Sequence, residues 1–359
     1  MLFSLATLAL VAGALATPLK RDSGLVVSVT ANDVNVASIA DLAITAKIEN
    51  TGSADVKILN FATIFDAERP TRSFTVLKEG EADEHVKFIG VSLNVDLTLV
   101  DDSAFTVIPA GESVTVVHKN LAELYDFESA GTGAFTFEPV TIFQIEDGNS
   151  LAPVDNLITL NSTSNTVTID VTSDVKRREV ANEKRATITC TNTSQRAQIQ
   201  SSYTEAKSLA TISANWISSN SGNALYSAYF GTNSATTVRS RFTAIANENS
   251  SSRTLNCSDP YGACSGGVIA YMLIATTNIY FCSPFWSNVA HPRLCSGTTV
   301  AQRNIRGGTT LHELSHAVAS TTDVTYGCSA NQGLSVANKL RNADNYNCFA
   351  AQVYQNTQC

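Results

Sequence analysis

Cysteine is missing from the first 189 residues of this 359-residue chain, and all eight cysteines fall between Cys190 and Cys359. The N-terminal half therefore has no disulfide to staple it and no thiolate to offer a metal. No C-x-x-C occurs anywhere, which argues against a cysteine-ligated metal cluster. Histidine stands at five and methionine at two, and neither Glu nor Met follows Glu313. Long apolar runs are absent too: Leu2 to Ala16 is too short to span a bilayer, and no later segment is apolar enough. A membrane protein is excluded on that ground, and nothing in the chain indicates nucleic-acid recognition or oligomer formation.

With histidine so scarce, the pentad His312-Glu313-Leu314-Ser315-His316 is the dominant feature. On a helix it places two imidazoles one turn apart with a carboxylate beside them, the geometry of a zinc peptidase site. Gly307-Gly308 breaks what precedes, and Thr310 with Glu313 three residues on has the form of a capping box, so the helix is expected to open there. Leu311, Leu314, Ala317 and Val318 supply apolar positions that anchor it to a core.

Two histidines do not complete a catalytic zinc site, which takes three protein ligands and keeps one position for water. A metzincin pattern would need Gly and His where this chain has Ala319 and Thr322, and its Met-turn has no methionine to form it. A thermolysin-like site needs a downstream Glu, and there is none. His291 precedes Pro292 in a loop, so an aspartate, Asp323 or Asp344, is the expected third ligand. Asp323, seven residues after His316, lies in the polar, β-branched stretch from Ser320 to the turn residue Gly327, which can fold straight back toward the metal. Asp344 falls on the buried face of a helical pattern made by Ala337, Leu340, Cys348 and Ala351. A buried carboxylate needs a partner, and Asp344 is assigned to orienting a ligand histidine or contacting substrate.

HExxH followed by Asp323-x-x-Tyr326-Gly327, then Asn342-Ala343-Asp344-Asn345-Tyr346 and a terminal Cys359, resembles the deuterolysins, fungal neutral metalloproteases of the aspzincin group. The resemblance implies one Zn²⁺ per chain held by His312, His316 and Asp323, with Glu313 as general base and Tyr326 donating a hydrogen bond to the oxyanion. It implies protein and peptide substrates, with a liking for basic proteins. It also implies disulfides Cys190–Cys257, Cys264–Cys282 and Cys295–Cys359, leaving Cys328 with Cys348. The family's usual Gly-Thr before the aspartate is Ser320-Thr321 here. Serine takes most turn conformations but is strained at a positive φ, so this departure bears on the geometry of the loop and not on its chemistry.

Chain organisation follows from composition. Residues 1–16 end in Ala14-Leu15-Ala16 and read as a signal peptide, hence a secreted, extracellular protein. Residues 17–185 read as an acidic, β-rich propeptide, and residues 186–359 as the metalloprotease domain, made as a zymogen. Lys184-Arg185 is the expected final cut on a pair of basic residues, with Lys176-Arg177-Arg178 and Lys20-Arg21 as further candidates. Residues 186–359 carry ten basic against six acidic groups, +4, so with −8 overall the first 185 sum to −12. Opposite charge favours docking of the propeptide on the enzyme as its intramolecular inhibitor. Having no thiol, it is expected to block the cleft sterically or to lend a carboxylate, His85 or His118.

Period-two alternation recurs at Leu25 to Thr30, Leu42 to Ile48, Val56 to Phe61, Phe105 to Ile108, Val114 to His118, Phe135 to Ile145 and Val167 to Val171. The fold class expected is multidomain: a β-sandwich-like prodomain followed by a mostly α zincin-type domain (α+β). In the latter, Thr204 to Ile217 is a candidate helix, and Val268 to Cys282 a strand-like run beside the cleft. Asn161, Asn192, Asn249 and Asn256 begin glycosylation sequons. A monomer is expected. The rival reading is a secreted, non-catalytic, zinc-stabilised binding protein, against which a base beside an open coordination position already argues.

Overall fold

A computed structural model describes residues 24–80, 85–146, 157–176 and 188–359. Residues 1–16, expected to be a signal peptide, Lys20-Arg21 and Lys184-Arg185 lie outside them, as do Arg177 and Arg178 of the remaining basic cluster.

The N-terminal half is built from three four-stranded sheets. One orders Thr163–Ser164, Leu25–Ala31, Ile44–Asn50 and Ser113–His118; the second orders Leu157–Asn161, Ile142–Glu146, Val56–Leu59 and Phe105–Ile108. In the third, Asn35–Ser38, Val167–Asp174, Gly133–Pro139 and Phe74–Lys78 lie side by side. Alternate residues of these strands turn inward, and Val27, Ile44, Phe74, Phe137 and Ile169 meet in one apolar core. The expected run Phe135 to Ile145 is two strands in different sheets, broken at Pro139, which has no N–H for a ladder. Phe74–Lys78 and Val91–Val95 had no place among the expected strands. All five residues of Val91–Val95 are buried, so the alternation that reveals a half-exposed strand is absent there.

Helices dominate the C-terminal half. Thr193–Asn220 is far longer than the expected Thr204 to Ile217, because Asn192 caps it by accepting from the N–H groups of Ser194 and Gln195. It packs on the motif helix Arg306–Ala319, which also packs on the C-terminal helix Ala343–Gln358. Beside them runs a five-stranded sheet ordered Ile188–Thr189, Leu255–Asn256, Asn278–Phe281, Val268–Leu273 and Val91–Val95. The expected single strand Val268 to Cys282 is thus a hairpin, and the N-terminal half contributes the sheet's outer strand. The whole is an α+β protein, and no helix among the described residues is long and apolar enough to cross a membrane.

All eight cysteines pair, as Cys190–Cys257, Cys264–Cys282, Cys295–Cys359 and Cys328–Cys348. The last ties the segment after Tyr326 to the C-terminal helix. Among the sequons, Asn256 is buried, and its amide donates to Thr254 and to the Ile279 carbonyl, which leaves no room for a glycan.

The motif helix opens at Arg306 rather than Thr310, so no capping box forms. Gly307-Gly308 lies inside its first turn because neighbours press close. A Cβ on Gly307 would sit 2.6 Å from the Glu205 Cβ, and one on Gly308 would sit 2.4 Å from the Asn347 Oδ1. Thr310 donates instead to Ser202 on the long helix, and Glu313 is free to face the site.

Candidate metal centre

His312 and His316, four residues apart on the motif helix, bring their rings to 4.9 Å between centroids. Asp323 returns from the following loop with Oδ1 3.0 Å from His312 Nε2 and 3.3 Å from His316 Nε2. One ligand atom from each of the three lies within 4.8 Å of the others. Donors about 2.0–2.1 Å from a tetrahedral zinc ion are separated by about 3.3 Å, so the set fits that metal. Both imidazoles are held with Nε2 inward. His316 Nδ1 lies 3.0 Å from the Thr321 carbonyl, and His312 Nδ1 faces the Asp344 carboxylate at 3.6 Å, an electrostatic contact longer than a hydrogen bond. His316 Nε2 and both Glu313 carboxylate oxygens are buried with no hydrogen-bond partner, and such orphaned groups mark where a cation and a water belong.

Charge sharpens this picture. Burial pushes the Glu313 carboxyl well above its ordinary value, opposed by His316 and reinforced by Asp323. Asp323 is as deeply buried, yet His316 and His312 outweigh that burial and hold it below the usual carboxylate range. Burial, with Asp323 nearby, drives the Tyr326 phenol well above its ordinary value, so it stays a donor. Its hydroxyl lies 3.2 Å from the Leu93 carbonyl oxygen.

The loop that carries Asp323 is held by residues with no motif of their own. Asn342 Oδ1 accepts from the N–H groups of Val324 and Thr325, while its amide donates to Asn331 and Asn345. Thr322 pairs with the chain at Arg341 and Ala343. Asp344 sits beneath. Its Oδ1 takes two hydrogen bonds from Arg303, at 2.7 and 3.0 Å, and its Oδ2 takes the Gly327 N–H at 2.8 Å. Burial disfavours its charge, but Arg303 and His312 hold it below the usual carboxylate range. Asp344 thus joins Arg303 to His312, and sequence reasoning missed Arg303 because it stands in a loop outside every motif. His291 lies apart, against Glu205 and Tyr354.

Ser320 takes the one backbone conformation that strains it. It ends the motif helix in the left-handed region, φ 53° and ψ 42°, where a Cβ costs energy. Ser320→Gly is expected to stabilise the chain by about 0.5–1 kcal/mol, the left-handed cost relieved less glycine's extra unfolded-state entropy. A rise in the urea midpoint checks this, and a fall would mean that the hydroxyl matters more than the backbone.

A helix carrying HExxH, a carboxylate from the next loop as third ligand and a sheet alongside define a zinc-dependent metalloendopeptidase. Comparison with known proteins narrows this: the chain belongs to the Deuterolysin metalloprotease (M35) family, whose profile matches residues 1–359. It is 31% identical to a neutral protease 2 homolog of Phaeosphaeria nodorum over all of this chain and 99% of that one. A peptidyl-Lys metalloendopeptidase of Armillaria mellea shares 30% over 91% of both chains. Penicillolysin of Penicillium citrinum shares 30% over 98% of this chain and 97% of its own.

Proposed function

We propose that this chain is a secreted endopeptidase made as a zymogen, with residues 1–16 a signal peptide, 17–185 a propeptide and 186–359 the catalytic domain. His312, His316 and Asp323 hold the metal, Glu313 is the general base, and Tyr326 steadies the oxyanion. A bound Zn²⁺ would supply Lewis acidity, acidifying water and polarising the peptide carbonyl. Glu313, buried and unpaired, takes the proton of the attacking water and passes it to the leaving amine. Tyr326, kept protonated, donates to the oxygen on which negative charge develops. Asp344 keeps the His312 ring turned with Nε2 inward.

The observation that carries this reading is the orphaned Glu313 carboxylate beside the three ligand atoms. A purely structural zinc site has no use for it, which tells against a non-catalytic binding protein. A preference for basic proteins draws its support from the family resemblance and from the name of the Armillaria mellea relative. Faster digestion of protamine than of casein by the cut protein is the expected result, and equal rates would remove the preference.

Casein digestion by protein cut with a dibasic-specific endoprotease tests the whole reading. Digestion is expected to stop with a zinc chelator and to return on adding Zn²⁺. Digestion that a chelator leaves untouched would end it.

A further inference from the structure

Of the groups around the site, the most unexpected is a piece of backbone. Val91–Val95 lies antiparallel to Val268–Leu273, with Leu93 opposite Tyr271 and Ser92 opposite Met272, and forms the outer strand of a sheet otherwise made by the C-terminal half. In such a ladder alternate residues bond to the neighbouring strand, and those between turn their N–H and C=O away from it. Leu93 is one of the latter, and the site takes both of its groups. Its N–H donates to Asp323 Oδ2 at 2.9 Å, on the carboxylate oxygen that Oδ1's contacts with the two histidines leave over. Its carbonyl oxygen lies 3.2 Å from His312 Nε2 and accepts from the Tyr326 hydroxyl at 3.2 Å. Arg303 continues the grip one and two residues on, donating to the Asn94 side chain at 3.2 Å and to the Val95 carbonyl at 2.7 Å.

We propose that Val91–Val95 is a built-in pseudosubstrate: it fills the peptide track of the cleft by strand addition to Val268–Leu273 and closes the metal centre with the backbone of Leu93. This rests on the peptidase reading and names the regulation of that same site. Strand addition is a general way for an extended peptide to bind a sheet edge, its main chain supplying affinity and its side chains specificity. The Leu93 side chain is fully buried in a cluster with Tyr271, Leu273 and Tyr326, so the track accepts a large aliphatic residue beside the metal ligands. A cavity of about 110 Å³ touches Ser92 near one end of the strand, and another of about 90 Å³ touches Asp96 just past the other. The N-terminal half braces the same wall a second time. Gln144 accepts from the Tyr326 N–H at 2.8 Å and donates to the Tyr326 carbonyl at 2.9 Å.

The expected donors of the block, His85 and His118, take no part. His118 is buried in the N-terminal core, bonded to the Ile64 carbonyl and set edge-on to Phe74, and His85 pairs with Leu77. A backbone serves in their place because a main-chain amide and carbonyl present one donor and one acceptor at the spacing that a substrate peptide would.

The test uses the whole uncut chain loaded with Zn²⁺. Amide hydrogen exchange on the wild type is expected to find the Leu93 N–H slowed at least about 100-fold relative to an unstructured peptide. Leu93→Pro removes that N–H, and a colorimetric chelator should strip zinc from it at least about tenfold faster than from wild type, as loss of one or two hydrogen bonds predicts. Circular dichroism checks that the variant folds. If it does not, Leu93→Gly replaces it: emptying the aliphatic site and loosening the strand should weaken the same contacts and speed stripping at least about tenfold. Unprotected Leu93 or equal stripping rates would overturn the proposal and leave the peptidase reading standing. Faster stripping by the variant, with no fluorogenic-peptide hydrolysis by the same protein after dibasic cleavage, would support the block while sinking the peptidase reading.

Discussion

Glu313→Gln is expected to lower peptide turnover by roughly 10²–10⁴-fold, the contribution of a positioned general base. Zinc content should stay at one per chain. Gln has the volume of Glu, and position 313 is fully buried, so the helix and its two histidines should keep their places. Stability should hold or rise, because a buried carboxylate without a partner is a cost that the amide largely removes. Activity and stability thus move in opposite directions, which separates lost chemistry from lost fold. Turnover of casein, zinc stoichiometry and the urea midpoint measured on one preparation decide the matter. Undiminished digestion would remove Glu313 from the mechanism.

Asp344→Asn is expected to do the reverse, weakening fold and metal together. Its carboxylate and the Arg303 guanidinium form a buried pair, and removing one partner of such a pair costs about 3–5 kcal/mol because the other charge is left behind. His312 would lose the group facing its Nδ1, and loss of such an outer partner weakens metal binding by roughly 10–100-fold. The pH dependence has a definite sign. The folded carboxyl ionises below its usual range, so its stabilisation is fully present above an unfolded pKa of about 3.9 and is lost as pH falls below it. The gap between wild type and variant should therefore close in acid. An Asn variant within about 1 kcal/mol of wild type, with unchanged zinc affinity, would reduce Asp344 to an ordinary buried polar residue.

Much of this is legible in the sequence because its origin is local. The spacing of His312 and His316 is one helical turn, and alternation along Leu25–Ala31 or Ile44–Asn50 reports a half-buried strand without reference to the rest of the chain. Local rules failed where a distant contact took over. Glycine reads as a helix breaker, yet Gly307 and Gly308 are helical since a neighbouring helix and the Asn347 side chain leave no space for a Cβ. Serine avoids positive φ, yet Ser320 accepts it in the turn that returns Asp323 to the histidines. Val91–Val95 escaped notice as a strand because both of its faces are covered.

The order of residues by itself narrowed the proposed chemistry to a few groups, since elimination among few histidines and few acids leaves His312, Glu313, His316 and two aspartates. Tertiary structure alone decided that Asp323 meets the histidines while Asp344 is taken by Arg303, and that a strand from the other half bonds to Asp323 and lies against His312. Leu93 and Asp323 stand 230 residues apart, and no periodicity or motif reports a contact over that distance. It exists because a sheet edge needs a partner strand and a buried carboxylate oxygen needs a donor, and one length of backbone meets both demands.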